Sequence, residues 1–252
     1  MSGKLENRVA VITGGSTGIG FATAKRFVAE GAFVFITGRR APELNRAAET
    51  LGPRAVTVLA DSSNLGDLDR LYELINREAG RIDILFANAG GGSNLPLGSI
   101  TEQQYDDTFG RNVKGVLFTV QKALPLLVDG ASVILTGSTA SIVAMPAFSV
   151  YGASKAALRS FARHWTLDLK ARRIALAEDP VKVANHQSLD AVQHVLFSLV
   201  CAFVCAQTCA WPPSTKSSTP VTKLESSDAR NSAALAISSG SATRPSGSSE
   251  AI

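Results

Sequence analysis

The stretch from residue 8 to residue 31 constrains the fold of this chain more than any other. It begins with a short continuous apolar run, VAVI, which is the pattern of a strand buried on both faces. A glycine-rich turn follows directly, and residues 21–30 then read as a helix. In such a unit, residues without side chains let the backbone approach a phosphate, which the dipole and free N–H groups of the helix bind. The sequence therefore predicts a binding site for a pyrophosphate group at this turn.

Strands and helices alternate along the rest of the first 178 residues. Helices are predicted at 65–79, 101–128 and 150–171. Further apolar strands are predicted at residues 32–37, 55–60, 82–87 and 131–136, with a short candidate at 174–177. This alternation predicts an α/β fold, a Rossmann-like doubly wound parallel sheet with helices on both faces. Residues 1–178 are therefore interpreted as one dinucleotide-binding and catalytic domain.

The end of the second predicted strand indicates which dinucleotide is bound. Enzymes that use NAD usually have an acidic residue here, which accepts hydrogen bonds from the ribose hydroxyls. This chain has Gly38 at that place, followed by Arg39 and Arg40. A guanidinium group suits a 2′-phosphate, because it can form charge-assisted bidentate hydrogen bonds with it. The sequence therefore favours NADP(H) as the cofactor, with NAD as the alternative.

A tyrosine and a lysine, Tyr151 and Lys155, lie four residues apart in a predicted helix. This spacing places them on one helical face, one turn apart. A phenol has a reference pKa of about 10 and is a poor proton donor or acceptor at neutral pH, but a fixed ammonium group beside it favours the phenolate. The pair therefore indicates acid–base catalysis. Taken alone it is a weak signal, because the same spacing often occurs by chance on a solvated face.

Five motifs occur in an order and spacing that resemble the short-chain dehydrogenase/reductase family over about residues 5–174. They are TGxxxGIG at residues 13–20, Asp61, Asn88-Ala89-Gly90, Asn112, and Ser138 with Tyr151xxxLys155. In the third motif, Ala87 stands where the family usually has a first asparagine. The resemblance implies an oxidoreductase that transfers a hydride between NADP(H) and a carbonyl or alcohol substrate.

The resemblance also implies a role for each catalytic residue. Tyr151 would act as the general acid or base on the substrate oxygen, and Lys155 would favour its phenolate and hydrogen-bond the nicotinamide ribose. Ser138 would orient the substrate carbonyl, and Asn112 would hold a water molecule in a proton relay. Ser141 competes locally with Ser138, but its position fits the family's interval less well. Taken alone, Ser138 would be a turn residue and Asn112 a surface polar residue.

The cofactor would be bound by residues from the same motifs. Asp61 would contact the adenine, and its alternative role is to cap the following helix. The complete set that the resemblance implies is Gly14, Ser16, Thr17, Gly18, Ile19, Gly20, Arg39, Arg40, Asp61, Ser62, Asn88, Ala89, Gly90, Tyr151 and Lys155.

The resemblance ends after Arg173. The family continues with a Pro-Gly turn, a threonine that binds the nicotinamide carboxamide and a closing Val-Asp-Gly-Gly strand. This chain contains no Pro-Gly dipeptide and no Val-Asp-Gly-Gly sequence. Residues 179–211 are an atypical apolar segment, predicted as a buried or aggregation-prone helix. Residues 212–252 are rich in Ser and Thr and predicted to be disordered. Two alternatives follow: a non-catalytic nucleotide-binding product with an aberrant, frame-shifted C-terminus, and a membrane-tethered reductase.

Composition limits the remaining classes of function. The net charge is +4 and the basic residues are scattered, so nucleic-acid binding is not expected. The three cysteines all lie between 201 and 209, at a spacing that indicates neither a disulfide framework nor a metal site. No leader sequence is recognised before the first strand, which favours a cytoplasmic protein. The expected partners are a small-molecule substrate and a second copy of the chain, bound through the long helices.

Overall fold

The computed structural model describes residues 3–179 of the 252-residue chain. Six strands occur in this part: β1 (Val9–Ile12), β2 (Phe33–Gly38), β3 (Ala55–Leu59), β4 (Ile82–Ala87), β5 (Leu127–Thr136) and β6 (Ala175–Asp179). They form one parallel sheet in the order β3-β2-β1-β4-β5-β6. Because the order reverses between β1 and β4, a crevice opens there at the carboxyl ends of the strands.

Six α-helices lie within residues 3–179: α1 (Gly18–Ala29), α2 (Ala41–Leu51), α3 (Leu65–Glu78), α4 (Glu102–Phe109), α5 (Gly115–Ala123) and α6 (Ser149–Asp168). A π-helical segment at Gly110–Lys114 joins α4 to α5. Short 3-10 turns lie at Gly52–Arg54, Thr139–Ser141 and Lys170–Arg172. Buried residues of α1 and α2 pack on one face of the sheet, and those of α3, α5 and α6 pack on the other. The predicted doubly wound parallel fold is therefore confirmed.

The central strands are buried on both faces, which explains their continuous apolar sequences. In β1, Val9 and Val11 belong to the apolar cluster that α3, α5 and α6 cover. The intervening Ala10 and Ile12 belong to the cluster that α1 and α2 cover. Successive side chains of a strand point to opposite faces, so the sheet lies between two apolar cores. The polar residues that follow each strand lie at the carboxyl end of the sheet.

The predicted helix at 101–128 is wrong in its C-terminal part. Helix α5 ends at Ala123, and β5 begins at Leu127, ahead of the predicted strand start at residue 131. Pro125 has no N–H to donate to the preceding helical turn, so the helix is not continued through it. Leu127 is buried and pairs with Ile82 of β4. Strand pairing and burial therefore outweigh the helix propensity of this leucine-rich stretch.

The predictions for residues 180–252, including the apolar segment, the Ser- and Thr-rich tail and the three cysteines, lie outside the described residues. Among the residues that the structure does describe, none of the helices is long and apolar enough to span a membrane. Residues 3–179 also contain no group of three or more His, Cys, Asp or Glu side chains that could hold a metal ion.

Candidate active site

A cleft of about 640 Å³ opens at the carboxyl ends of the strands, on the edge that the strand reversal predicts. All of the predicted cofactor-binding residues line it except Gly18 and Gly20, which lie in the first turn of α1. The predicted catalytic pair, Tyr151 and Lys155, lines the same cleft. The other two predicted catalytic residues, Asn112 and Ser138, are buried and lie outside the cleft lining.

The glycine-rich turn after β1 has no room for a side chain at Gly14 or Gly20. A Cβ on Gly20 would lie 2.3 Å from the carbonyl oxygen of Gly14. Gly14 itself has φ of +64°, and a Cβ there would lie 3.0 Å from the Cα of Ala89. These glycines are therefore required by close approach and, at Gly14, also by a left-handed backbone.

The first backbone N–H groups of α1 are not capped by a side chain, so they are available to a ligand. Its N-cap residue, Thr17, makes no side-chain hydrogen bond to the helix, and its first turn contains no acidic residue. By contrast, the N-cap of α3, Asn64, accepts hydrogen bonds from two backbone N–H groups of its own helix. A helix N-terminus without a side-chain cap presents N–H donors and a positive dipole end to an anion. The turn and α1 thus fit the pyrophosphate of a dinucleotide.

Three strand ends are held together by one asparagine. The side-chain amide of Asn88 donates to the carbonyl oxygens of Thr13 (3.1 Å) and Gly14 (3.2 Å). Its oxygen accepts from the hydroxyl of Thr136 at 3.2 Å, while the Thr13 hydroxyl oxygen accepts from the backbone N–H of both Asn88 and Ala89. Asn88 therefore links β1, β4 and β5 where they meet the cleft, and this role adds to its predicted place in cofactor binding.

The two arginines follow β2, whereas Lys155 bonds to Thr136 at the end of β5, so the arginines and the predicted catalytic pair line the cleft on different sides of the strand reversal. Arg39 places its Nη1 3.7 Å from a carboxylate oxygen of Asp61, and Arg40 is the N-cap residue of α2, with its Nη1 3.6 Å from Glu43. Both arginine side chains are more than half exposed, at 53% and 63%. A Cβ on Gly38 would lie 2.7 Å from the hydroxyl oxygen of Ser16, so glycine at this strand end makes room for Ser16.

Asp61 is a fixed anion in this part of the cleft. Its carboxylate accepts from the backbone N–H (2.9 Å) and the hydroxyl (2.7 Å) of Ser63. Partial burial raises its pKa, but the hydrogen bonds from Ser63 and the charges of Arg39 and Arg111 outweigh burial and hold the pKa below its usual value. The alternative role, capping the next helix, is not what the structure shows, because Asn64 is the N-cap of α3.

Lys155 is a buried cation between β5 and Tyr151. It is 2% exposed, and its Nζ donates to the carbonyl oxygen of Thr136 at 2.8 Å. The same nitrogen lies 5.8 Å from the centre of the Tyr151 ring. A Cβ on Gly90 would come within 3.3 Å of it, so the Asn-Ala-Gly motif leaves space for the ammonium group. Burial lowers the pKa of Lys155 to about 8, and the carboxylate of Glu178 on β6 opposes this shift.

Asn112 lies in the π-helical segment and is completely buried. Its side-chain oxygen accepts from the backbone N–H of Gly91 at 3.0 Å, and its amide donates to the hydroxyl of Ser154 at 2.9 Å. Ser154 in turn donates to the backbone carbonyl of Tyr151 at 2.7 Å. The π-helical segment therefore places Asn112 between the loop after β4 and helix α6.

Ser138 has a local role in the structure. It is the N-cap residue of the 3-10 turn at Thr139–Ser141, and its hydroxyl oxygen accepts from the backbone N–H of Ala140 at 3.2 Å. Because this bond uses the oxygen only as an acceptor, the hydroxyl proton of Ser138 can still be donated to a substrate oxygen. Its competitor Ser141 donates its own hydroxyl to the backbone carbonyl of Ser138 at 2.6 Å.

Two charged residues at the site were missed by the motif reasoning. Arg111, directly before Asn112, lines the cleft and acts on Asp61. Glu178 is 10% exposed, one of its oxygens lies 3.5 Å from Nε of Arg159, and the other is buried without a hydrogen-bond partner in the described part of the chain. Glu178 and Asp179 directly follow the apolar run of the predicted strand at 174–177, and no feature of the sequence connected Glu178 with the site.

We expect Glu178→Gln to move the alkaline loss of activity to lower pH. In the wild-type chain Lys155, with a pKa of about 8, is charged below that pH and becomes neutral as the pH rises through it. Removing the carboxylate removes the charge that opposes the effect of burial, so the pKa of Lys155 falls and the ammonium is lost earlier. The measurement is kcat/KM from pH 6 to pH 9, in about half-unit steps.

The matched control is Glu78→Gln, which removes a carboxylate that is 47% exposed at the end of α3. Its pH profile should superimpose on that of the wild-type chain. A Glu178→Gln profile with an unchanged or higher alkaline midpoint would show that Glu178 does not act on Lys155.

Comparison with known proteins agrees with this geometry. Residues 8–178 match the family model described as short chain dehydrogenase. The chain is 50% identical over 192 residues to Oxidoreductase asL5 of Sarocladium schorii, an alignment that covers 75% of this chain and 77% of that protein.

Two solved structures show the same fold. One is a short chain dehydrogenase from Burkholderia cenocepacia J2315 in complex with NADP, which is 30% identical with a TM-score of 0.70 and covers 78% of this chain and 91% of its own. The other is 3-ketoacyl-(acyl-carrier-protein) reductase from Brucella melitensis complexed with NADH, which is 27% identical with a TM-score of 0.68 and covers 73% and 79%. The family match runs from β1 into β6 and spans more than half of the chain, so this chain is an NAD(P)-dependent oxidoreductase that belongs to the short-chain dehydrogenase family.

Proposed function

We propose that this chain transfers a hydride between NADP(H) and a carbonyl or alcohol substrate, with Tyr151 as the general acid or base. The observation that supports this most is the placement of a buried lysine beside Tyr151 in the cleft that also contains the two arginines after β2. One cleft thus combines groups suited to the two ends of a dinucleotide. It holds a proton-transfer pair at one end and guanidinium groups for a phosphorylated ribose at the other.

The nicotinamide group, when bound, supplies or accepts the hydride. The Tyr151 hydroxyl gives a proton to the substrate oxygen in reduction and takes it back in oxidation. The buried ammonium group of Lys155 favours the phenolate form of Tyr151 and can bind a ribose hydroxyl. Its hydrogen bond to Thr136 and the chain of bonds from Asn112 through Ser154 to Tyr151 hold both groups in place. The hydroxyl of Ser138 donates to the substrate carbonyl.

The loops near Tyr151 favour an apolar substrate. Ile142, Val143 and Met145 lie in the loop between the 3-10 turn and α6 and are 64%, 58% and 38% exposed. On the other side, a Cβ on Gly92 would lie 3.4 Å from the ring of Tyr151, so this glycine keeps the approach to the ring open. Apolar side chains gain free energy when a ligand removes them from water. We therefore expect ketones or aldehydes with apolar substituents to be reduced.

The cofactor preference is tested by the double variant Arg39→Gln/Arg40→Gln. Hydrogen bonds to a charged group contribute about 1.5–3 kcal/mol. Losing such bonds to the 2′-phosphate should therefore weaken NADPH binding about 10–100-fold. NADH lacks this phosphate, so its affinity should change little. The measurement is a calorimetric titration of each variant with NADPH and with NADH.

Arg46→Gln is the control for this pair. Arg46 also lies in α2 and pairs with Glu43, but it is 72% exposed and outside the cleft lining. This variant should bind both cofactors like the wild-type chain. Equal weakening of NADPH and NADH by the double variant would contradict a 2′-phosphate role for the two arginines.

Hydride transfer itself is tested with the full-length chain, NADPH and a panel of aldehydes and ketones, by following the nicotinamide absorbance. We expect oxidation of NADPH with at least one apolar carbonyl compound, and slower oxidation of NADH at equal concentration. A chain that binds NADPH but reduces no member of a broad panel would favour the second candidate, a nucleotide-binding product without turnover. The absence of a Pro-Gly turn and a Val-Asp-Gly-Gly strand from the sequence is what supports that candidate.

A further inference from the structure

Arg111 occupies a position in the cleft that none of the recognised motifs explains. It lies in the π-helical segment directly before Asn112, is half-buried, and lines the cleft. Its Nη1 lies 3.6 Å from the point where a Cβ on Gly91 would stand, so the side chain extends along the loop after β4. Within residues 3–179, its guanidinium donates no hydrogen bond to protein.

The cleft has arginines on two walls with one carboxylate between them. Arg39 reaches Asp61 from the end of β2, and Arg111 acts on the same carboxylate from the π-helical segment. Asp61 is already held by two hydrogen bonds from Ser63. The carboxylate therefore does not fully engage either guanidinium, and both remain available to a ligand that enters between the walls.

Its neighbours place Arg111 over the adenosine half of a bound dinucleotide. The pyrophosphate fits the turn at Gly14 and the start of α1, and the catalytic pair lies at the far end of the cleft. Arg111 lies beside Gly91, which follows the interior strand β4, and its charge acts on Asp61, which follows the edge strand β3. Its guanidinium is thus near the carboxylate that the resemblance to the family assigns to the adenine. A guanidinium group is planar and weakly hydrated, and it stacks on aromatic rings.

We propose that Arg111 covers the adenine ring from the wall opposite Arg39, with its guanidinium plane against the ring while Asp61 faces the ring edge. This inference rests on the proposed function. It assigns Arg111 to the part that NADPH, NADH and ADP share, whereas Arg39 and Arg40 are assigned to the 2′-phosphate. Arg39 and Arg40 should therefore distinguish NADPH from NADH, whereas Arg111 should contribute to the binding of all three ligands.

The test is calorimetric titration of the full-length chain with ADP, NADH and NADPH. Arg111→Gln should weaken the binding of all three ligands by a similar factor, about 3–30-fold, the range expected for loss of one cation–π contact. Arg111→Lys keeps the charge but loses the planar group, so its binding should stay at least threefold weaker than that of the wild-type chain. Lys114→Gln, a charge removal at an exposed position of the same segment, should bind like the wild-type chain.

Each outcome decides the proposal. Wild-type affinity in Arg111→Gln would overturn it, and so would full recovery in Arg111→Lys, because charge alone would then suffice. Weakening confined to NADPH would overturn it as well, since Arg111 would then act on the 2′-phosphate. If the wild-type chain bound none of the three ligands, the proposed function would fail together with this inference. An unchanged thermal midpoint of each variant shows that a loss of affinity is local.

Discussion

Tyr151→Phe is expected to lower kcat/KM for carbonyl reduction by about 10²–10⁴-fold, the usual contribution of a general acid or base. The substitution removes one hydroxyl group and keeps the ring, which contacts Phe148 edge-to-face at a centroid distance of 5.9 Å. The backbone carbonyl that accepts from Ser154 is also kept. Fold and cofactor affinity should therefore remain close to those of the wild-type chain. Steady-state kinetics with NADPH, together with a binding titration, separate the two effects.

Tyr105→Phe is the matched control, since it removes the hydroxyl of a tyrosine that is 46% exposed in α4 and stacks on Phe109 instead of lining the cleft. Its kcat/KM should equal the wild-type value. Near-normal turnover in Tyr151→Phe would remove Tyr151 from the chemistry, whatever the fold of the chain. A matched loss of NADPH affinity would instead show that the variant acts on binding.

Gly20→Ala is expected to abolish the stabilisation of the chain by NADPH and to destabilise the chain itself by about 1–3 kcal/mol, as overpacking does. The added methyl group would lie 2.3 Å from the carbonyl oxygen of Gly14 and 2.7 Å from the side-chain amide of Asn88. To relieve these contacts, the turn that fits the pyrophosphate must move away from α1, and the strand-end bonds of Asn88 must lengthen. Thermal unfolding with and without NADPH measures both effects.

The control for this variant is Gly66→Ala in the first turn of α3, where the nearest atom to the added Cβ is 3.4 Å away. An alanine in a helix with room for it stabilises slightly or has no effect, and the response to NADPH should be unchanged. A Gly20→Ala chain with a normal NADPH response would show that close packing at this turn is not needed for cofactor binding.

The part of the fold that could be predicted is the part in which one strong physical pattern decides the structure. Strands β1 and β4 are buried on both faces, and their apolar runs of 4 and 6 residues are too short for a typical helix. The stretch before β5 is different, because a leucine-rich segment is compatible with both helix and strand. The choice there depends on the pairing of Leu127 with Ile82, a contact between distant residues that no local pattern contains.

The candidate site also contains some residues that the sequence could predict and others that it could not. The turn glycines could be predicted from the strand–turn–helix pattern, because backbone approach to a phosphate requires glycine there. Asn88 and the Tyr151–Lys155 pair were expected mainly from the resemblance to the family, and they line the same cleft. Arg111 and Glu178 could not be predicted, because a single charged residue has no periodic signature. Their place in the site depends on the turn of the π-helical segment and on the register of β6 against β5, which pairs Glu178 with Leu135.

The central claim, that this chain forms an NADP(H) site, is tested most directly by thermal unfolding of the purified full-length chain alone, with NADPH and with NADH. A ligand that binds only the native state raises its stability by mass action, by about 2.7 kcal/mol at a free concentration of a hundred times Kd. We predict a cooperative transition whose midpoint NADPH raises further than NADH does at equal concentration. The absence of a cooperative transition, or a midpoint that neither cofactor moves, would contradict the claim.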